Sequence, residues 1–268
     1  MTLGADFQFS QSSLQDYLTC KRRFQLKYIQ RLAWPSVQIE PIGEAERQMR
    51  LGQSFHRMIH QYLIGLGENV RSAEPELGLW WANFLQSAPQ GLGERLFPET
   101  TLTARAGGYR FMAKYDLIAL GERCLIFDWK TAPKRPSRAW LQARIQTRLY
   151  RFLLARAGTS INSGLSPQPD AIEMIYWFAN FPQEPERLLY DDDQYRADEN
   201  FLMQMAGEIT HKGENDFPLT TDQQACRFCG YRSLCDRGYE VGSLHNAQEW
   251  EDESAVIIAF EDIEELRF

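Results

Sequence analysis

Apolar and polar positions along the chain change period several times, and each change marks an element. Residues 110–120 and 124–130 are two runs rich in aromatic and aliphatic side chains, separated by Gly121-Glu122-Arg123. This predicts an antiparallel hairpin. The second run is apolar on both sides of Asp128, as expected of a central strand covered on both faces. Residues 171–178 predict a further strand after a Pro/Ser/Gly-rich loop at 158–169, and residues 140–154 carry the spacing of an amphipathic helix. Another helix is predicted to begin after Gly52 and run through Leu63, and Cys20 falls late in an amphipathic N-terminal helix. Helices, a hairpin, a helix and a strand, in that order, predict an α/β core with a mixed central sheet flanked by helices.

The hairpin concentrates the chemistry. With its turn centred on Glu122, the residue numbers of antiparallel partners sum to 244, a condition that Asp116 and Asp128 meet. Directly opposed residues stand roughly 5 Å apart at Cβ. Lys130 follows Asp128 by two and so shares its face. Two opposed carboxylates repel unless a positive charge lies between them, and a hard divalent cation with oxygen ligands meets that need. A neighbouring ammonium then suits the steadying of a nucleophilic water or of developing charge on phosphate.

The 268 residues, 44% of them apolar, suffice for one elaborated domain or two small ones. No apolar run approaches the roughly 18 residues of a membrane span, and the N-terminus lacks a basic segment followed by an apolar one. The expected location is the cytoplasm, with no membrane partner. The net charge of −7 is concentrated at one end, because residues 240–268 hold nine acidic and one basic side chain. Positions 1–239 are left with 28 basic and 27 acidic residues. Basic residues cluster at Lys21, Arg22, Arg23, Lys27 and Arg31, and again at Lys130, Lys134, Arg135, Arg138, Arg144, Arg148 and Arg151. The second cluster begins at the candidate catalytic lysine, where a phosphodiester backbone would be held.

Cys226, Cys229 and Cys235 form C-x2-C-x5-C, a spacing that directs thiolates to one metal or cluster, with Gly230 permitting a tight turn. Cys20 and Cys124 are candidates for a fourth ligand. Cys124 serves as a small residue at the start of a strand, so Cys20 is the better choice. Zinc and iron–sulfur both accept four thiolates, although a lone cysteine far from a compact triad is more typical of iron–sulfur nucleases. His56 and His60 lie one helical turn apart, but Arg57 stands where a zinc peptidase motif requires Glu. Gln146 and Tyr150, at i and i+4, share one side of the helix over residues 140–154.

Taken together, these residues resemble the PD-(D/E)XK nucleases, and within them the RecB-like group with an iron–sulfur cluster, which includes the AddB nuclease domain and CRISPR-associated adaptation exonucleases. The resemblance runs over most of positions 8–238. It begins with a helix from Phe9-Ser10 to Leu32 carrying Cys20 and Arg23-Phe24. It continues through Gly52-x3-His56, Asp116, Asp128-Trp129-Lys130-Thr131 and Gln146-x3-Tyr150, and ends at the cysteine triad. It implies a restriction-endonuclease-like core. It also implies that His56, Asp116, Asp128 and the Trp129 carbonyl bind Mg²⁺ or Mn²⁺, that Lys130 positions or activates water, and that Gln146 and Tyr150 steady the DNA or the site. Cys20, Cys226, Cys229 and Cys235 would hold a [4Fe–4S] cluster clasping the 40–200 core between the Cys20 helix and residues 218–239. The nuclease domain would span 1–239, followed by an acidic tail at 240–268. The implied activity is metal-dependent hydrolysis of DNA, exonucleolytic on single-stranded ends, in repair, recombination or CRISPR adaptation, with a helicase or integrase as partner. The alternative is a non-catalytic DNA-binding or scaffolding subunit. Lys21 departs from the proline that often follows the first cysteine in this group.

Overall fold

A computed structural model describes residues 3–4, 6–32, 43–66, 73–87, 95–227 and 229–237. The expected acidic tail lies outside them. Two compact units form, one from Met1–Arg47 with Gln204–Phe268, the other from Gln48–Met203. Among the described residues no helix is long and apolar enough to cross a membrane.

The first unit opens with a two-residue strand, β1 (Gln8–Phe9), and helix α1 (Gln11–Thr19), capped by reciprocal Ser10–Ser13 hydrogen bonds. The expected continuous helix to Leu32 is interrupted. Cys20 is extended, with φ −158° and ψ 111°, and separates α1 from α2 (Lys21–Phe24), which passes into a π-helical turn at Gln25–Ile29. A single non-helical residue barely disturbs the apolar spacing, so periodicity does not reveal it.

The second unit is built on a mixed sheet. Helix α3 (Gly43–Leu63) and helix α4 (Pro75–Ser87) precede three strands, β2 (Arg95–Ala106), β3 (Tyr109–Leu120) and β4 (Cys124–Lys130). Helices α5 (Arg138–Ala143) and α6 (Ile145–Ala157) then lead to β5 (Ile172–Phe178), β6 (Phe181–Leu189) and α7 (Asp192–Thr210), whose last turns belong to the first unit. Within the unit β2 pairs with β3, β3 with β4 and β5 with β6, all antiparallel, whereas β4 and β5 are parallel. The mixed α/β architecture therefore matches the expectation, and every residue of β5 is buried, as a doubly covered strand requires.

One face of the sheet packs on α3 and α4, where Phe55, Trp80 and Phe84 meet Leu117, Phe127, Trp129 and Trp177. Helix α6 covers the other. Helix α3 begins nine residues before Gly52, so that glycine does not mark a start. It is there for close approach, because a Cβ on Gly52 would stand 3.2 Å from Thr131 Oγ1, just beyond the end of β4. The single helix expected over 140–154 is likewise two, divided at Arg144, which adopts φ −60° and ψ 142°. Strands β2 and β6 were not foreseen. Pro182 and Pro185 suit β6 to an unpaired outer edge but hide its strand signal.

Candidate active site

The hairpin register is the expected one. Ladder pairs run from Leu120↔Cys124 to Leu117↔Phe127, all on the line that would next place Asp116 opposite Asp128. The ladder stops there, and the backbone explains why. Phe111 and Tyr115 pack against Phe152 and Tyr150 of α6, whereas Leu117 and Ala119 lie in the α3/α4 core. Residues of one parity share a face in a regular strand, so β3 reverses its facing at Asp116. The Asp116 carboxylate takes up the freed bonding: Oδ2 accepts the Trp129 backbone N–H at 2.9 Å, and Oδ1 lies 3.2 Å from His56 Nδ1.

His56 reaches this point from α3, four residues after the glycine that allows the helix its approach. Burial favours the neutral imidazole, but the facing Asp116 carboxylate, with Asp128 behind it, more than offsets this and lifts the His56 pKa to about 9. Burial likewise opposes ionisation of Asp116, yet His56, the Trp129 N–H and Lys130 outweigh it and hold the carboxyl below its usual range.

Asp128 is 3% exposed and faces α6. Its Oδ1 accepts from Gln146 Nε2 at 2.6 Å, and its Oδ2 lies 3.0 Å from Lys130 Nζ. Gln146 Oε1 in turn accepts from Lys130 at 3.3 Å and from the Tyr176 hydroxyl at 3.4 Å. Tyr176 sits beside Asp128 in the parallel β4/β5 register and also shares a 2.7 Å hydrogen bond with Thr147. Gln146 is thereby a working member of the cluster. Tyr150 contributes differently, its ring packing on Tyr115 at 4.8 Å and its carbonyl accepting the Tyr115 hydroxyl, one residue from Asp116. Trp129 buries its side chain in the α3/α4 core and fixes the chain through its N–H. His60, one turn beyond His56, is not in the convergent group.

A residue that the sequence reading passed over completes the convergence. Ligand atoms of His56, Glu99 and Asp116 all lie within 4.8 Å of one another, the one such group of three among the described residues. Two carboxylates and an imidazole, partly buried, fit a hard divalent cation. Glu99 lies on β2, and the clue to β2 was Gly107-Gly108, a two-residue turn whose glycines take φ 54° and 86°.

The basic clusters serve the fold more than expected. Arg23 and Lys27 bind the fully buried Asp16, at 2.6 and 3.2 Å, and Lys21 pairs with Glu208. Arg135 and Arg138 both bind Glu186, and Arg151 lies buried against Asp198. Those guanidiniums are already committed to carboxylates rather than arrayed for phosphate.

The cysteines belong to the first unit, except Cys124, which is buried at the start of β4 as expected. Cys20, Cys226, Cys229 and Cys235 line one cavity together with Arg23, Arg232 and Arg237. Burial pushes the Cys229 and Cys235 thiols up.

A mixed sheet with a D-x-K strand, a second aspartate on the adjoining strand and a histidine from a helix thus brings together groups that could hold a divalent cation. The chain belongs to the PD-(D/E)XK nuclease superfamily, whose family model matches residues 8–236. No curated protein matches it in sequence. Among solved structures it is similar to SSO0001, at 12% identity and TM-score 0.40 over 85% of each chain. It is also similar to a candidate exonuclease from Eubacterium rectale, at 9% identity and TM-score 0.48 over 76% of this chain and 80% of that one.

Proposed function

We propose that this nuclease is a Mg²⁺- or Mn²⁺-dependent deoxyribonuclease that degrades DNA from single-stranded ends. The observation that carries the reading is the convergence of His56, Glu99 and Asp116 beside the Asp128–Lys130–Gln146 cluster. His56, Asp116 and Asp128 would hold the cation, which when bound supplies Lewis-acid stabilisation of charge on a phosphodiester. The chain's own side chains do the rest. Asp128, bonded to both Gln146 and Lys130, keeps the ammonium of Lys130 at the edge of the metal-binding group. From there Lys130 orients the attacking water and offsets negative charge that builds on the phosphate. To serve as ligands, His56 and Asp116 would both have to be without the proton that lies between them. The resemblance to AddB and to CRISPR-adaptation exonucleases supports DNA ends as substrate, with a helicase or integrase as companion, in a cytoplasmic setting.

The same reading assigns a [4Fe–4S] cluster to Cys20, Cys226, Cys229 and Cys235. The cavity that all four cysteines line within the first unit supports one shared site for their thiolates.

The test is digestion of end-labelled single- and double-stranded DNA with and without Mn²⁺. Metal-dependent release of short products from single-stranded ends, lost in Asp128→Asn, is expected. Absence of cleavage, or cleavage retained by Asp128→Asn, overturns the reading.

A further inference from the structure

Glu99 has a backbone conformation that its neighbours do not share. In β2 and β3, Pro98 pairs with Leu117 and Thr100 with Tyr115, but the intervening Glu99 and Asp116 form no ladder pair. Glu99 takes φ 51°, in the left-handed region that a non-glycine residue seldom occupies. The interruption faces the position where β3 reverses its facing, so both strands depart from regularity at the same level. The result is that two carboxylates from adjacent strands meet the imidazole of an overlying helix. Without a cation, the Glu99 charge is balanced from within: Lys114 Nζ lies 2.8 Å from Glu99 Oε2, with its side chain 47% exposed. Lys114 is an exposed residue of β3, two positions before Asp116, and its long stem can swing into solvent at little cost.

We propose that Glu99 is a further side-chain ligand of the cation held by His56 and Asp116, and that Lys114 is an internal counter-cation which competes with the metal for it. The inference rests on the metal-dependent reading above. It adds a determinant outside the D-x-K strand: a third donor strengthens the site, and the lysine sets how much metal is needed to fill it. Coulombic competition of this kind is strongest at low ionic strength, because both groups are partly exposed.

The test is Mn²⁺ titration of the full-length protein without DNA, with free Mn²⁺ followed by electron paramagnetic resonance. Glu99→Gln is expected to weaken binding by ~10-fold or more, the scale found for groups that support a metal site. Lys114→Met is expected to tighten it several-fold, and to lose that gain when combined with Glu99→Gln. Circular dichroism and thermal melting establish that each variant folds, and Lys114→Met supplies an independent arm should Glu99→Gln not. Unchanged affinity in Glu99→Gln, or in Lys114→Met, overturns the inference while Asp116→Asn still abolishes binding. If Asp116→Asn also binds Mn²⁺ like the unmodified protein, the metal-dependent reading fails instead.

Discussion

The side-chain amide of Gln146 holds both charged members of the D-x-K strand at once, donating to Asp128 Oδ1 at 2.6 Å and accepting from Lys130 Nζ at 3.3 Å. Because an amide presents one donor end and one acceptor end, no other residue of this size serves the two partners equally. Gln146→Ala is expected to lower kcat by ~10–100-fold with little loss of Mn²⁺ binding. Gln146→Glu would be worse, since it sets a second carboxylate where the donor touches Asp128. Steady-state cleavage of a labelled oligonucleotide ranks the two, and equal activity would count against this account.

Lys130 and Asp128 form a nearly buried ion pair at 3.0 Å, with side chains 13% and 5% exposed. Removing one member of such a pair takes away the charge that offsets the other. Lys130→Met is therefore expected to abolish cleavage and also to destabilise the second unit, by about 3 kcal/mol. Adding Asp128→Asn should return most of the stability and none of the activity. Urea melts monitored by tryptophan fluorescence separate the effects, and a Lys130→Met protein as stable as the parent would refute the coupling.

For the cysteines, anaerobically purified protein is expected to contain iron and acid-labile sulfide, with a broad visible absorption that Cys229→Ser removes. Cys124→Ser should keep it, since Cys124 belongs to the second unit and does not line the cavity of the other four. Zinc at one equivalent in colourless protein would replace the cluster with an ion while leaving the four-cysteine set intact.

Glu208 accepts from Lys21 at 2.7 Å and from the Tyr17 hydroxyl at 2.5 Å, and these bonds hold its pKa down to about 2 against an ordinary value of 4.5. A depressed carboxylate contributes stability that is complete above its unfolded pKa and disappears as pH falls through the folded one. Wild type should therefore exceed Glu208→Gln in stability by a constant margin above about pH 5, with the margin shrinking toward pH 2. The margin itself is under about 1 kcal/mol, because Glu208 is nearly half exposed. Thermal melts of both proteins from pH 7 to pH 2.5 measure it, and a margin that grows on acidification contradicts the sign.

The residues of the D-x-K strand, the hairpin register up to Leu117 and Phe127, and the cysteine spacing are determined by the sequence alone, because each depends on local counting. A turn at Gly121–Arg123 dictates which residues of the hairpin oppose one another, and Cys124–Phe127 follow that count, whereas the count's next pair, Asp116 with Asp128, is lost where β3 reverses its facing. The apolar run at 171–178 also suffices to recognise β5 as a strand, while its cover on both faces comes from the packing. What only the tertiary structure decided concerns residues brought together from distant elements. Cys20 and Arg144 each break a helix with one extended residue, which leaves the apolar period nearly undisturbed. Gly52 reads locally as a helix boundary, and its purpose emerges only when α3 meets Thr131. The arginines after Lys130 look available to phosphate until Glu186 and Asp198 arrive from β6 and α7. Glu99 is the plainest case: no spacing links it to His56, and it enters the site because two strands lose regularity at one level and turn their carboxylates toward the same imidazole.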